Sequence, residues 1–584
     1  MRRTTAKDLG HIEPRTHRAL VSPHLEGISL SPFRGWTLDA LPEFMLGLRI
    51  WQLALIAGCA GALSVLAMAP FFLWPILFFT LPILIWALDA AGFRESDEAS
   101  PMACYRRRLR HAAFIGWAFG FGYFLASIYW IGYAFYVDAE RYAALMPLAV
   151  AALPAALALF YGAAAALAVA LWRRGYARIL AFAFAFFCAE AGRGYLLTGF
   201  PWNLLGEAVA ANDAHMQAAA YIGIYGLTLA ALLIFTAPSA LIAAPISRNG
   251  RLWSPLVAAA LVLSASYAFG TYRLQQQTGE VQGVRLRIVQ PNIPQREKWK
   301  LENRRWIFER TIALSKKGTS GEDIGAFTHI IWPESSVPFL FLFNREIFSA
   351  DAGDILASLL PAEATLILGG ERAEGILSVD NRYVFNRVFN SLFVLGAGAR
   401  LRTVYDKHHL VPFGEYVPFR GALAAIGFRA FSHRLDGFDA GSQPPASIET
   451  GGAPVFLPLI CYEIIFPGVV KDWKNRPQWI VNITNDAWFG DSTGPHQHLH
   501  QARIRAVEEG LPVVRAANTG ISAVIDPFGR VVAKLDLGKA GTIDHNLPRS
   551  LPVTFYEKTR LPVFIVILLF PLQFYLVMVA ISKV

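Results

Sequence analysis

Eight stretches of this chain are each apolar over about twenty residues, the length an α-helix needs to cross the hydrocarbon core of a bilayer. Seven follow one another closely, at 50–69, 70–90, 111–136, 144–172, 177–197, 217–244 and 253–272, and the eighth, 561–581, closes the sequence. Overall composition agrees: hydrophobic residues make up 54% of the 584 and charged residues 16%, against about 25% charged in an ordinary soluble domain. Between the seventh and eighth runs, charge, polar residues, Gly and Pro return to globular levels for about 290 residues, enough for one large soluble domain. The expected organisation is an N-terminal extension over 1–48, a seven-span domain over 49–275, a soluble domain over 283–547 and a last span over 560–582. Arg2 and Arg3 have no apolar segment close behind them, so an export signal is not the reading of the extension.

The basic residues predict the orientation. With the N-terminus inside, the inner loops carry Arg94, Arg106, Arg107, Arg108, Arg110, Arg173, Arg174, Arg178, Arg248 and Arg251, with Lys583 at the end; the outer loops carry little beyond Arg141 and Arg193. The positive-inside rule then sends the soluble domain to the far side of the membrane. The net charge of +10 is largely this loop bias, so no nucleic-acid partner is expected.

Within the soluble domain, strand-like runs at 284–290, 328–332, 365–369, 391–395, 455–460, 479–484 and 522–526 alternate with helical periodicity at 303–316, 351–360 and 498–509. That alternation predicts an α/β layered domain with its reactive residues where strands end. One such end carries Cys461, the single cysteine of this stretch, with Glu463 two residues on; a lone thiol there reads as a nucleophile on a strand-to-helix elbow. A second end is Trp332-Pro333-Glu334, where a carboxylate suits a general base. A third, Asp406-Lys407, offers an ammonium, with Glu415 eight residues on. Singly, each of these residues has an ordinary reading as core or solvated surface. Cys59 and Cys188 lie in spans, where buried small hydrophobes are the default.

In order and context the three ends resemble the nitrilase superfamily, whose Glu-Lys-Cys triad sits on an α-β-β-α sandwich. They are more similar still to its membrane-bound branch, the apolipoprotein N-acyltransferases. The resemblance covers nearly the whole chain: seven spans, then Trp332-Pro333-Glu334, Asp406-Lys407 with Leu410-Val411-Pro412-Phe413-Gly414-Glu415, and Cys461-Tyr462-Glu463, then a last span. The segments 290–295 with Trp299, 485–490 with Trp488 and Phe489, and Gly199-Phe200-Pro201-Trp202 belong to the same likeness. The long N-terminal extension departs from it.

The resemblance implies a polytopic α-helical protein of eight spans carrying a nitrilase-like domain, with Glu334, Lys407 and Cys461 as the triad. Glu415, Tyr462, Glu463, Trp299, Trp488 and Phe489 are the implied supporting or substrate-binding residues. It implies a ping-pong reaction without metal or cofactor, the last step of lipoprotein maturation. A phospholipid, typically phosphatidylethanolamine, acylates Cys461, and the α-amino group of a diacylglyceryl-cysteine at an apolipoprotein N-terminus receives the acyl group. The expected setting is a monomer in a bacterial inner membrane, with the catalytic domain on the periplasmic side. Exposing an acyl chain of about fifteen methylenes to water costs on the order of 12 kcal/mol, which explains why such a site is tied to a bilayer. Two segments are candidates for contact with lipid: the apolar run 338–343 and the mixed apolar and basic run 419–438.

His496, His498 and His500 also admit a metal-ligand reading, but no cysteine or well-spaced acid nearby completes it; the default is a helix start near the rim of the site. Glu190, Arg193 and Glu207 are assigned structural pairing or loop solvation. A tethered amidase would use the same triad without needing so many spans. A transporter predicts paired ionisable residues inside the spans, which are nearly free of them in sequence.

Overall fold

The structure, a computed structural model of the chain, describes residues 40–92, 100–137, 140, 144, 146–173, 177–242, 253–337, 340–342, 350–377, 383–418, 437–471 and 475–581. Seven helices are long and apolar enough to cross a membrane: Ile50–Ala67, Trp74–Ala91, Pro101–Tyr136, Met146–Ala170, Ala177–Thr198, Ala219–Leu241 and Ser254–Leu274. The second starts later than its apolar run, at Trp74, because Met68 and Leu66 accept hydrogen bonds from the turn that precedes it. The third starts earlier, at Pro101, so Arg106, Arg107, Arg108 and Arg110 form part of the helix and not of a loop. The last helix, Phe555–Ile581, bends by 65° between Leu561 and Val563. Pro562 stands at the bend, and a proline lacks the backbone N–H that a helix interior needs. An eighth span exists only if those two halves count as one.

Small residues set how closely the bundle packs. A Cβ on Gly61 would lie 2.0 Å from the Phe119 carbonyl oxygen, so the first and third spans meet backbone to backbone. Cys59 corrects its sequence reading: it is exposed on the outside of the bundle, and Cys188 is half-buried. Among the described residues the spans also hold two ion pairs, the first not anticipated from sequence and the second in keeping with the structural pairing expected of Glu190 and Arg193. Arg178 pairs with Asp89, and Arg193 Nη2 lies 2.9 Å from Glu190 Oε2 with both side chains fully buried. The second pair is used to fasten a loop: Arg193 donates to the carbonyl oxygens of Phe200 (2.7 Å), Trp202 (2.8 Å) and Asn203 (3.1 Å).

In the soluble domain, β1 (Glu280–Gln290), β2 (His329–Ile331), β3 (Leu340–Leu342), β4 (Thr365–Leu377), β5 (Tyr383–Leu395) and β6 (Leu401–Asp406) build one sheet. A second contains β7 (Ile448–Thr450), β8 (Ala453–Ile460), β9 (Trp479–Thr484), β10 (Val513–Ala517), β11 (Ser522–Ile525) and β12 (Val531–Leu535), after which β13 (Gly541–Pro548) returns to the first. The orders are β13-β1-β2-β4-β5-β6, with β3 on β4, and β12-β11-β10-β9-β8-β7. Each has a parallel centre, β1, β2, β4 and β8, β9, β10, flanked by antiparallel strands.

Alternation along the strands decides the layers. Leu286 and Ile288 of β1 share a core with Ile460, Val481 and Val514 of the second sheet. On the other face of the first sheet, Ile330, Leu366 and Leu368 cover Phe308 of the helix Arg304–Lys317 and Leu356 of the helix Ala350–Leu359. The outer face of the second sheet, with Leu457, Ile480 and Val513, packs on Ala502 and Val507 of the helix Gly494–Glu509. That last layer is continuous with the core of the membrane bundle, so the two parts share one packed interior. The extension 1–39 lies outside the described residues, as do 419–436 and, apart from β3, 338–349, which carry the two expected lipid contacts.

Candidate active site

Cys461 follows β8 directly, and its backbone is left-handed, with φ 51°. For a residue with a Cβ this conformation is strained and is kept only where the surroundings enforce it. The enforcement comes from Glu463, whose Oε2 accepts from the Ile460 N–H (2.8 Å) and so closes the turn Cys461–Ile465 back on the strand end. The elbow expected from sequence is present, with a 3-10 turn where a longer helix start was expected.

Glu334 stands on a turn after β2, beside Ser335 with φ 48°. Gly369 of β4 makes room for it: a Cβ there would lie 2.6 Å from the Glu334 Cα. Lys407 follows β6, its N–H bound to the Asn390 carbonyl oxygen of β5 at 2.8 Å. Its side chain is 1% exposed, and its ammonium lies 2.9 Å from Glu415 and 3.8 Å from Glu334 Oε1. Asn390 Nδ2 donates to both carboxylates, at 2.6 Å to Glu334 and 2.9 Å to Glu415. Three strand ends and β5 therefore converge on one buried group of charges.

Burial sets the electrostatics. It pushes the Cys461 thiol well above its ordinary range; Glu334 adds to that rise and Lys407 opposes it. Burial also raises Glu334, against the pull of Lys407. Lys407 would be lowered by burial, but Glu415 and Glu334 more than offset this and hold it charged. The arrangement is a protonated thiol facing a carboxylate and a permanent cation. Such a set can remove a proton from sulfur at the moment of attack and stabilise an oxyanion.

Comparison with known sequences identifies the chemistry. The profile of the apolipoprotein N-acyltransferase N-terminal domain matches residues 60–237, and that of carbon-nitrogen hydrolase matches 286–552. An apolipoprotein N-acyltransferase of Rhodopseudomonas palustris is 44% identical over 513 residues, 87% of this chain and 92% of the relative. This chain belongs to the apolipoprotein N-acyltransferase family. Relatives of the same name from Bradyrhizobium diazoefficiens and Brucella melitensis are 44% identical over 511 residues and 39% over 507. These alignments cover 87% of this chain and 91% of the first relative, and 85% and 90% for the second. An acyltransferase is the enzyme class that the resemblance over nearly the whole chain implies.

The other expected residues of this apolipoprotein N-acyltransferase site divide in two. Glu415 joins the charged cluster. Glu463 does not: besides bracing the elbow, its Oε1 accepts from Tyr405 Oη (2.7 Å) and from the N–H groups of His408 and His409 (3.0 Å each), tying the Lys407 loop to the Cys461 turn. The Tyr462 hydroxyl donates to the Gly199 carbonyl oxygen of the membrane domain at 2.8 Å. Phe489 packs on Trp130 and Trp202, ring centres 4.3 and 5.8 Å away, and so serves the seam with the bundle. Trp299 and Trp488 are half-buried, Trp299 directly after Lys298 and Trp488 in the turn Asp486–Phe489.

His498 Nε2 lies 3.2 Å from the Cys461 carbonyl oxygen, which can only accept, so this nitrogen carries the hydrogen; Nδ1 lies 3.0 Å from Asp486. His500 Nε2 donates to the Glu207 carbonyl oxygen at 3.3 Å. Among the described residues no group of three or more His, Cys, Asp or Glu is arranged to hold a metal ion. Gln497 accepts from the indole N–H of both Trp130 (3.0 Å) and Trp202 (2.8 Å), a seam contact that no sequence motif announced. Asn390 was missed as well, although it directly precedes a strand-like run. Lys298 was passed over beside Trp299.

Proposed function

We propose that Cys461 is the nucleophile of a two-step transfer in which a phospholipid acyl chain passes through a thioester to the α-amino group of a diacylglyceryl-cysteine. The observation that carries the reading is the left-handed elbow presenting a buried thiol to the Glu334 and Lys407 charges. Glu334 takes the thiol proton as sulfur attacks the ester carbonyl carbon. Lys407 and the Tyr462 N–H receive the oxyanion, each donor contributing about 3 to 4 kcal/mol. The C–O bond breaks, Glu334 returns its proton to the departing glycerol oxygen, and the acyl group stays on sulfur. The amine then attacks the thioester and gives up a proton to Glu334, with Glu415 beside it, and the C–S bond breaks to regenerate the thiol. Trp299, Trp488 and Phe489 border the acyl slot in this reading.

The donor is read as phosphatidylethanolamine. The inner-loop arginines support a cytoplasmic N-terminus and a periplasmic catalytic domain. We read the enzyme as an inner-membrane monomer with eight spans, the bent Phe555–Ile581 helix being the last. The two sheets and their covering helices are read as the α-β-β-α sandwich. The domain division is that expected from hydropathy, 49–275, 283–547 and 560–582, with 1–48 as an extension.

Purified protein incubated with phosphatidylethanolamine alone is expected to gain one acyl mass at Cys461, labile to hydroxylamine and absent in Cys461→Ala. A diacylated lipopeptide added next should discharge it into a triacylated product. An adduct that persists in Cys461→Ala, or none in the wild type, would refute the nucleophile assignment.

A further inference from the structure

Lys298 is a buried cation that the mechanism above does not use. It ends the short helix Gln295–Lys298, is 3% exposed, and its ammonium donates to the main-chain carbonyl oxygen of Glu334 at 3.1 Å. An ammonium has three N–H donors. Among the described residues this is its one hydrogen bond, so two donors are unspent in a place where unspent donors are costly. Its electrostatic neighbours are Glu334 after β2, Glu371 of β4 and the Cys461 thiol after β8; beyond Glu334 stand Lys407 and Glu415. Burial lowers Lys298 to about 8, so it remains charged at neutral pH and below.

We propose that Lys298 is a second working cation of this site, which fixes the Glu334 turn through its carbonyl and gives its free donors to an oxygen of the bound acyl ester. This rests on the reading of Cys461 as the acylated residue. The turn it holds is the one with left-handed Ser335, so a single contact steadies both the position of the base and its ionisation. The Lys298 charge favours ionised Glu334, and Glu334 removes the thiol proton only when ionised. Removing the charge therefore moves the acid limb of the reaction to higher pH.

The test follows Cys461 in wild type, Lys298→Met, Lys298→Gln and Lys298→Arg between pH 5 and 9. Two rates are read at the Cys461 peptide: alkylation by iodoacetamide, which needs the base alone, and thioester formation from phosphatidylethanolamine, which also needs the ester oxygen held. In Lys298→Met and Lys298→Gln both acid limbs should rise by about one pH unit. Thioester formation at the optimum should fall about 100-fold, the effect of losing one oxyanion-type donor, and by more than alkylation falls. Lys298→Arg should keep the limb where it is in the wild type. Equal losses in both rates with unmoved limbs would mean a merely structural lysine and overturn the proposal, as would a wild-type thioester rate in Lys298→Met. A wild type that forms no thioester defeats the Cys461 reading instead, and the alkylation limbs then still decide whether Lys298 governs Glu334.

Discussion

In the proposed mechanism Glu334 has to be ionised to act, yet burial holds it above the ordinary 4.5, against the pull of Lys407, Asn390 and Lys298. Thioester formation should therefore be lost as pH falls through a midpoint above 4.5. Asn390→Ala removes the amide that donates to both Glu334 and Glu415, so the midpoint should rise further and the rate at pH 7 should drop about 10- to 100-fold, the worth of a hydrogen bond to a buried charge. The rate of acyl adduct formation against pH, wild type beside variant, checks both. Asn390 shows where sequence reasoning stops. An asparagine in a strand carries no spacing signal, and its role arises only because β5 runs antiparallel between β4 and β6 and delivers it between two carboxylates. Glu334 and Cys461 stand out in the sequence because each follows an apolar run, and Lys407 because Asp406-Lys407 precedes Glu415 in a motif of its own.

Strands with long apolar runs, β8 above all, were visible in the sequence. β6, β10, β12 and β13 were not. Leu401–Asp406 and Val531–Leu535 mix charged with apolar residues, and Val513–Ala517 contains Arg515, whose buried guanidinium donates to Asn482 and Asp486; the sheet is what makes strands of them. One glycine in β4 shows how tightly such elements meet. Gly369→Ala places a Cβ against the Glu334 Cα and Pro333 carbonyl oxygen, so Glu334 must shift while β4 keeps its pairing. Thioester formation is expected to fall about 100-fold, the cost of a displacement near 1 Å, with the thermal unfolding midpoint moved far less. A parallel loss of both would refute the account.

The junction of the catalytic domain with the bundle is rich in buried acids. Glu509 is fully buried, neither carboxylate oxygen has a hydrogen-bond partner among the described residues, and burial raises it to about 8; Glu508 is raised to about 7. Both take up protons on folding. Their contribution to stability is thus full below about 4.5 and is lost as pH rises to about 8, at up to about 1.4 kcal/mol per pH unit for each group. Unfolding midpoints measured from pH 5 to 8 should fall, and Glu509→Gln should flatten the decline. Hydropathy located seven helices long and apolar enough to cross a membrane but gave no hint of this junction, because its contacts join residues hundreds of positions apart. The same distance separates Tyr462 from Gly199, whose carbonyl oxygen sits in a loop between two spans that Arg193 clamps. In the proposed mechanism the posture of Cys461 is therefore hung from the lipid-embedded part of the protein, which makes bilayer thickness a kinetic variable. Discs of short-chain and long-chain lipid should give different rates of Cys461 acylation from the same donor, and Tyr462→Phe should narrow the difference.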